Sequence, residues 1–503
     1  MLLCFSYTTF SATESDRPHF LAPYSCGQSW DAGTYSTHKP DPDSVDFGLW
    51  RDSDDKFPLN EENRSKGQPV LASAAGIVID DLLVNTPEFG LERHVYLDHG
   101  DDWYTHYVHL QRSPAPLLPG RRIAQGEKIG RTGRTGTVEF NHHIHYTQMK
   151  NDVYPPQSSN WLGGGFGNGQ AVRVKLNGQL IDTHASNPSS LGTYFTNDAE
   201  RIISRNCPGN SFIHWDDDDL DYLLRYKPSE RKARIMRLNK NGQGATTTAQ
   251  LNDWNKTWTH FAMFYATSGR PHLIQYNTAL GKASFGRLDR EGAGITNLTT
   301  STHWHKGWTQ VKTFLLGDYN YVLTYDSQSG MFNISRIHND SRGVTTIYHD
   351  TQHPGWTSIV PFDGDGGQYL LFYSGGRGTI TIQRVSGNRD NLSMHHVWSA
   401  QRKPGWTSLE LVKDRGDSFL LGYNITEGTG KIWQLSYNGN GITSRSEFSL
   451  RDDWTNVTTY SENIHGRVLF YDASSGDVRI KAVDNGGIGI TSKWSGDWDD
   501  GWR

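Results

Sequence analysis

The sequence predicts an all-β protein, an antiparallel-sheet domain followed by a six-bladed β-propeller. Three observations carry that expectation. The chain has 17 Trp, 53 Gly and only 6 Met, with abundant Thr, Ser, Asn and Tyr, a composition that favours short strands and tight turns. Its second half repeats itself at a near-constant period. Its first half divides into short β-rich runs, PVLASAAGIVI, RHVYLDHG, DWYTHYVHL and HHIHYTQMK, separated by Gly, Pro and Asp clusters.

At 503 residues the chain exceeds the roughly 250–300 at which a single core stops growing, so at least one internal boundary is expected. The formal net charge is -5 and the 49 Lys and Arg are scattered. A nucleic-acid partner is therefore not expected. No run approaches the roughly 18 consecutive apolar residues of a membrane span. Residues 1–17 hold a short apolar run with no basic residue before Arg17, and read as a signal segment truncated by a misplaced start. The expected location is secreted, extracellular. Losing that segment removes Cys4 and leaves Cys26 and Cys207; a disulfide between them and two separate buried thiols both fit.

The repeat marker is Trp-Thr. Trp258, Trp308, Trp356, Trp406, Trp454 and Trp502 stand 50, 48, 50, 48 and 48 residues apart, and Thr follows the first five. A second series, Tyr226, Tyr276, Tyr325, Tyr373, Tyr423 and Tyr471, recurs at 50, 49, 48, 50 and 48. Counting back 17 residues from Tyr226 puts the first copy near Gly209, so 209–503 holds six copies. About 40 to 50 residues suit four short strands, the unit of a propeller blade. Residues 186–208 mix turn formers with a short candidate helix and read as a linker, leaving 18–185 as the first domain.

In that domain the segment NHHIHYT carries the chemistry. Strand alternation puts His143, His145 and Thr147 on one face and Ile144 and Tyr146 on the other. One such histidine can hold a metal while its neighbour exchanges protons, although a His-x-His pair alone is weak evidence. THKPDPDSVDFG adds His38 and Asp46. His, Asp and His make three ligands, leaving a fourth position for water, as hydrolytic zinc requires. In WYTHYVHL, alternation groups Trp103, Thr105, Tyr107 and His109. His109, rather than His106, should then face the site, with Tyr107 a substrate-binding candidate.

The segments CGQSW, THKPDPDSVDFG, PVLASAAGIV, YVHL, GEKIGRTGRTG and HIHY, spanning most of Cys26 to Met149, resemble in kind and order those of the lysostaphin-like zinc endopeptidases, the LytM-like peptidases. The resemblance implies one zinc held by His38, Asp46 and His145, with His109 and His143 as acid/base and transition-state histidines. It implies hydrolysis of glycine-rich peptides, chiefly peptidoglycan cross-bridges. The His38-to-Asp46 gap is longer than the family's usual spacing and resembles the staphylolysin branch. HIHY replaces the usual HLHF.

For the propeller, aromatic side chains stack on sugars, which makes Trp308, Trp356, Trp406 and Trp454 candidates for a lectin-like carbohydrate site. A Trp once per blade is also the expected packing contact between blades. The competing function is a catalytically inactive glycan-binding protein that keeps the zinc domain as a scaffold.

Overall fold

The computed structural model describes residues 17–18, 20–24, 28–33, 43–49, 65–86, 90–111, 116–123, 125–135, 142–150, 170–176, 179–181, 200–204 and 206. It further describes 212–502 apart from 218–219, 228–229, 255–257, 300–301, 366, 426, 453, 463, 474 and 500. Among these residues the regular elements are strands and short 3-10 turns. Among the described residues no helix is long and apolar enough to cross a membrane.

The first domain contains β1 (Ser29–Gly33), β2 (Val45–Gly48), β3 (Pro69–Leu71), β4 (Gly76–Thr86), β5 (Gly90–Gly100), β6 (Trp103–Val108) and β7 (Arg122–Ile123). It continues with β8 (Lys128–Arg131), β9 (Ile144–Lys150), β10 (Gln170–Val172), β11 (Lys175–Leu176), β12 (Gln179–Leu180) and β13 (Glu200–Ile203). Its main sheet runs β13-β1-β2-β9-β6-β5-β4-β7, with β10 also on β9, while β3 pairs β8 and β11 pairs β12. One face of the sheet covers a core that includes Trp30, Phe47, Val95, Leu97, Tyr107, Ile144 and Tyr146. The opposite face carries the polar site.

β13 corrects the expected boundary. Glu200–Ile203 falls in the stretch read as a linker, yet pairs antiparallel with β1 and buries Ile202 in the core. Tyr24 donates its hydroxyl to the Ile202 carbonyl at 2.8 Å, and the Asn206 amide donates to the Ala22 and Ala72 carbonyls, each at 3.0 Å. Residues 200–204 and 206 are thus tied into the first domain by long-range bonds that no local pattern announces.

The second half forms six antiparallel sheets of four consecutive strands each, the second sheet with a fifth short strand. The first strand of each blade lies against the first strand of the next, and that of blade 6 against that of blade 1. Six blades therefore close around an axis. The two sequence markers keep step because they bond to each other. The backbone N–H groups of Trp308, Trp356, Trp406, Trp454 and Trp502 donate to the hydroxyls of Tyr276, Tyr325, Tyr373, Tyr423 and Tyr471, the tyrosines of the preceding blades, at 3.1–3.2 Å. The hydroxyls of Thr259, Thr309, Thr357, Thr407 and Thr455, which follow the first five marker tryptophans, bond to the carbonyl of the Tyr in their own blade, as Thr357 does to Tyr373 at 3.1 Å.

That arrangement also settles closure. The first copy has no Trp-Thr marker ahead of its first strand, and Trp502 occupies the place beside blade 1, clustering with Phe212, Leu223 and Met236. The Arg225 guanidinium lies 4.4 Å from the Trp502 ring centroid.

The tryptophans proposed for sugar stacking are buried instead. Trp308, Trp356, Trp406 and Trp454 sit in four apolar clusters, each of which joins two neighbouring blades. Trp356, for example, packs with Phe332 and Ile334 of the blade before it and Phe372 of its own. Blade-to-blade packing takes up most of these rings, although Trp406 and Trp454 also line the cavity at the propeller axis.

The domains meet along β8. Arg131 donates to the Asp452 carboxylate at 2.8 Å and to the Ile425 and Asp452 carbonyls at 2.9 and 2.8 Å, and Lys128 donates to the Asp452 carbonyl at 3.1 Å.

Candidate active site

β2 and β9 pair with Asp46 directly opposite His145, which places both side chains on one face. Asp46 Oδ1 lies 3.0 Å from His145 Nδ1 and 3.9 Å from His143 Nε2. Both histidines are buried. His143 stands just before β9 and is fixed by a bridge to Gly133. A Cβ on Gly133 would come within 2.6 Å of the Gln111 nitrogen and 2.8 Å of the His109 carbonyl oxygen, so this crossing of backbones requires glycine.

His109 arrives from β6 by a route that alternation does not foresee. Val108 is opposite His145 and His106 opposite Thr147, so His106 and Val108 share the site face while Tyr107 is opposite Tyr146 on the core side. A regular strand would have sent His109 to the core with Tyr107. Its φ of +62°, a left-handed conformation that His tolerates better than most side chains, ends the strand and turns the ring back. The His109 ring centroid then lies 4.7 Å from that of His143 and 5.8 Å from that of His145.

His109 Nδ1 is 2.9 Å from the Thr135 carbonyl oxygen. A carbonyl only accepts, so Nδ1 carries the proton and Nε2 is the nitrogen left for exchange. Burial, together with the His143 and His145 rings, holds the His109 imidazole well below its ordinary pKa.

Tyr107 is therefore not at the site. It is fully buried on the opposite face, where its hydroxyl accepts the Ser73 N–H at 2.8 Å. His106, which alternation from His109 excludes, belongs to the site face. Its ring lies edge-on to His94 at 4.9 Å, and His94 Nε2 is 3.0 Å from Asp80 Oδ1. The β6–β9 register was the signal needed to find this buried row. His38, Cys26 and Cys207 lie outside the described residues.

The described donors suit a zinc ion. Two ligand atoms at about 2.0–2.1 Å from a tetrahedral zinc stand roughly 3.3 Å apart, and the Asp46–His145 separation of 3.0 Å is close to that edge. Among the described residues no group of three or more His, Cys, Asp or Glu converges as a metal site; Asp46 and His145 supply two such donors.

Residues 63–155 match the model of peptidase family M23. The first domain is an M23 peptidase domain. The match contains His109, His143 and His145, and Asp46 joins them from outside it through the β2–β9 pairing. The M23 domain is similar to the peptidoglycan DD-endopeptidase ShyA of Vibrio cholerae, 35% identical over 16% of this chain and 17% of that protein. It is also similar to the peptidoglycan DD-endopeptidase ShyC of the same organism, 33% identical over 18% of this chain and 19% of that one. The chain thus spans less than a fifth of the length of these relatives. Among solved structures, a putative 6-phosphogluconolactonase from Bacteroides fragilis aligns over 60% of this chain and 88% of its own at 12% identity and a TM-score of 0.41, a likeness too slight to carry an argument.

Proposed function

We propose that the chain is a secreted zinc metalloendopeptidase that hydrolyses glycine-rich peptide bonds, chiefly those of peptidoglycan cross-bridges, and that its propeller holds it on a glycan. The observation that carries the reading is the juxtaposition of Asp46 and His145 at 3.0 Å with His143 and His109 beside them. Peptidoglycan as substrate draws support from the relatives' names, and glycine preference from the resemblance to lysostaphin-like enzymes.

Asp46, His145 and His38 would hold the zinc, which when bound polarises the scissile carbonyl and makes water a nucleophile near neutral pH. The remaining work belongs to the chain. His109, with Nδ1–H committed to Thr135, presents a neutral Nε2 that can steady charge on the carbonyl oxygen once protonated. His143, the other unassigned imidazole, takes the proton of the attacking water and returns it to the leaving amine, so that no net proton is gained or lost.

The test is cleavage of pentaglycine and of purified peptidoglycan by zinc-loaded protein, with a chelated sample and His143→Ala alongside. Cleavage of both substrates, lost in both controls, upholds the proposal. Cleavage of peptidoglycan alone removes the glycine specificity. No cleavage despite bound zinc favours the scaffold reading.

A further inference from the structure

The axis of the propeller opens toward the M23 domain in a cavity of about 180 Å³. Its walls are the first strands of blades 3 to 6, and its cap is the β3–β8 pair, including Leu71 and Lys128. Gln310, Ser408 and Asn456, equivalent positions on three of these strands, form a polar rim. Two residues further along the strands, blade 3 contributes Lys312 and blade 5 contributes Glu410, with blade 4 between them.

These are charges of opposite sign lining one open-mouthed cavity, both partly withdrawn from solvent. Neither makes an ion pair or a hydrogen bond among the described residues. Burial pushes the Glu410 carboxyl up, and Lys312 pulls it part of the way back, so the two groups sense each other across the channel without meeting. A channel built only for packing would be expected to carry apolar or mutually bonded side chains here, because a buried charge without a close partner is costly.

We propose that this cavity is a binding site for a small zwitterion, a free α-amino acid, whose ammonium bonds Glu410 and whose carboxylate bonds Lys312. A zwitterion completes both charges at once through charge-assisted hydrogen bonds. A dicarboxylate would be repelled by Glu410 and a diamine by Lys312, while a neutral sugar would leave both charges uncompensated. At ~30 Å³ per water the cavity holds roughly six waters, which limits the ligand to a few heavy atoms. The site does not depend on the peptidase reading, since none of its residues belongs to the histidine cluster.

The experiment is isothermal titration of the full chain with glycine, N-acetylglycine and glycinamide. Glycine should bind, and each analogue, lacking one charge, should bind at least tenfold more weakly. Glu410→Gln should abolish the discrimination against N-acetylglycine, and Lys312→Met that against glycinamide. No heat with millimolar glycine, or equal binding of all three compounds by the unaltered chain, overturns the proposal. Should a variant fail to fold, judged by circular dichroism, the analogue series on the unaltered chain still decides the question. Peptide cleavage is unaffected by any of these outcomes.

Discussion

The hydroxyl of Tyr373 accepts the backbone N–H of Trp406 at 3.2 Å and donates to the Lys403 carbonyl at 3.2 Å, tying the end of one blade to the start of the next. Tyr373→Phe leaves the Trp406 N–H buried without an acceptor. The expected loss is about 1–3 kcal/mol, read as a lower denaturation midpoint with an unchanged slope in urea melts of the full chain. An unchanged midpoint would mean that the pairing is incidental to stability.

Trp502 is one of the residues that join blade 6 to blade 1, with Trp498, Tyr471 and Phe212 in the same cluster. Trp502 fills the place that Trp356 or Trp406 fills elsewhere, between Tyr471 of blade 6 and the core of blade 1. Trp502→Ala should cost about 3–5 kcal/mol. The loss should appear first as faster amide exchange in Phe212–Asp217 and Asn456–Glu462, the first strands of blades 1 and 6, which face each other. Exchange spread evenly over all six blades would argue against a local clasp.

The propeller was legible in the sequence because its signal is sixfold: a shifted strand in one copy does not hide a Trp and a Tyr that return about every 48 to 50 residues. What the repeat could not say is which way the tryptophans point. Exposure depends on the neighbouring blade, and Trp356 is buried by Phe332, which is distant in sequence. In the first domain simple alternation groups His143 with His145, whereas Asp46 enters through the motif THKPDPDSVDFG, and only the β2–β9 pairing sets it opposite His145. His109 is read to the site, but grouping Tyr107 with it and excluding His106 fails, because a strand ending in a left-handed residue breaks alternation between His109 and Tyr107. β13 was hidden for a related reason, since its partner strand lies about 170 residues upstream.

His99 gives the first domain an acid-sensitive contact. It is half-buried, with Nδ1 2.8 Å from the Ala75 carbonyl oxygen and Nε2 2.7 Å from Thr105 Oγ1, and burial lowers its pKa to about 4. The unfolded chain therefore takes up this proton at a higher pH than the folded one. The contribution to stability is complete above about pH 6.5 and declines as the pH falls toward 4. His99→Gln should reduce the drop in urea midpoint between pH 7.5 and pH 4.5, and an equal drop in both proteins would exclude His99 as its source.

Gly133 connects the backbone of the histidine cluster. Because a Cβ there would press on the His109 carbonyl oxygen and the Gln111 nitrogen, Gly133→Ala should displace His109 relative to His143. In the proposed enzyme this predicts at least a tenfold fall in kcat with little change in far-ultraviolet circular dichroism, on the order of 1.4 kcal/mol in the barrier. Unaltered turnover would show that the loop absorbs the methyl group without moving the ring.

Arg131 is the main polar link between the domains, holding the Asp452 carboxylate and two blade carbonyls while its other terminal nitrogen donates to the Gly67 carbonyl at 2.9 Å. A methionine at this position keeps most of the apolar stem but none of the donors. Arg131→Met should loosen the docking without unfolding either domain, so the radius of gyration from small-angle scattering should rise while both domains keep their circular dichroism. Because Arg131 is only two residues from Gly133, the same variant should also make the His109–His143 geometry less uniform. That would appear as broadened imidazole resonances, and sharp resonances together with an expanded particle would show that the site holds its geometry without the propeller.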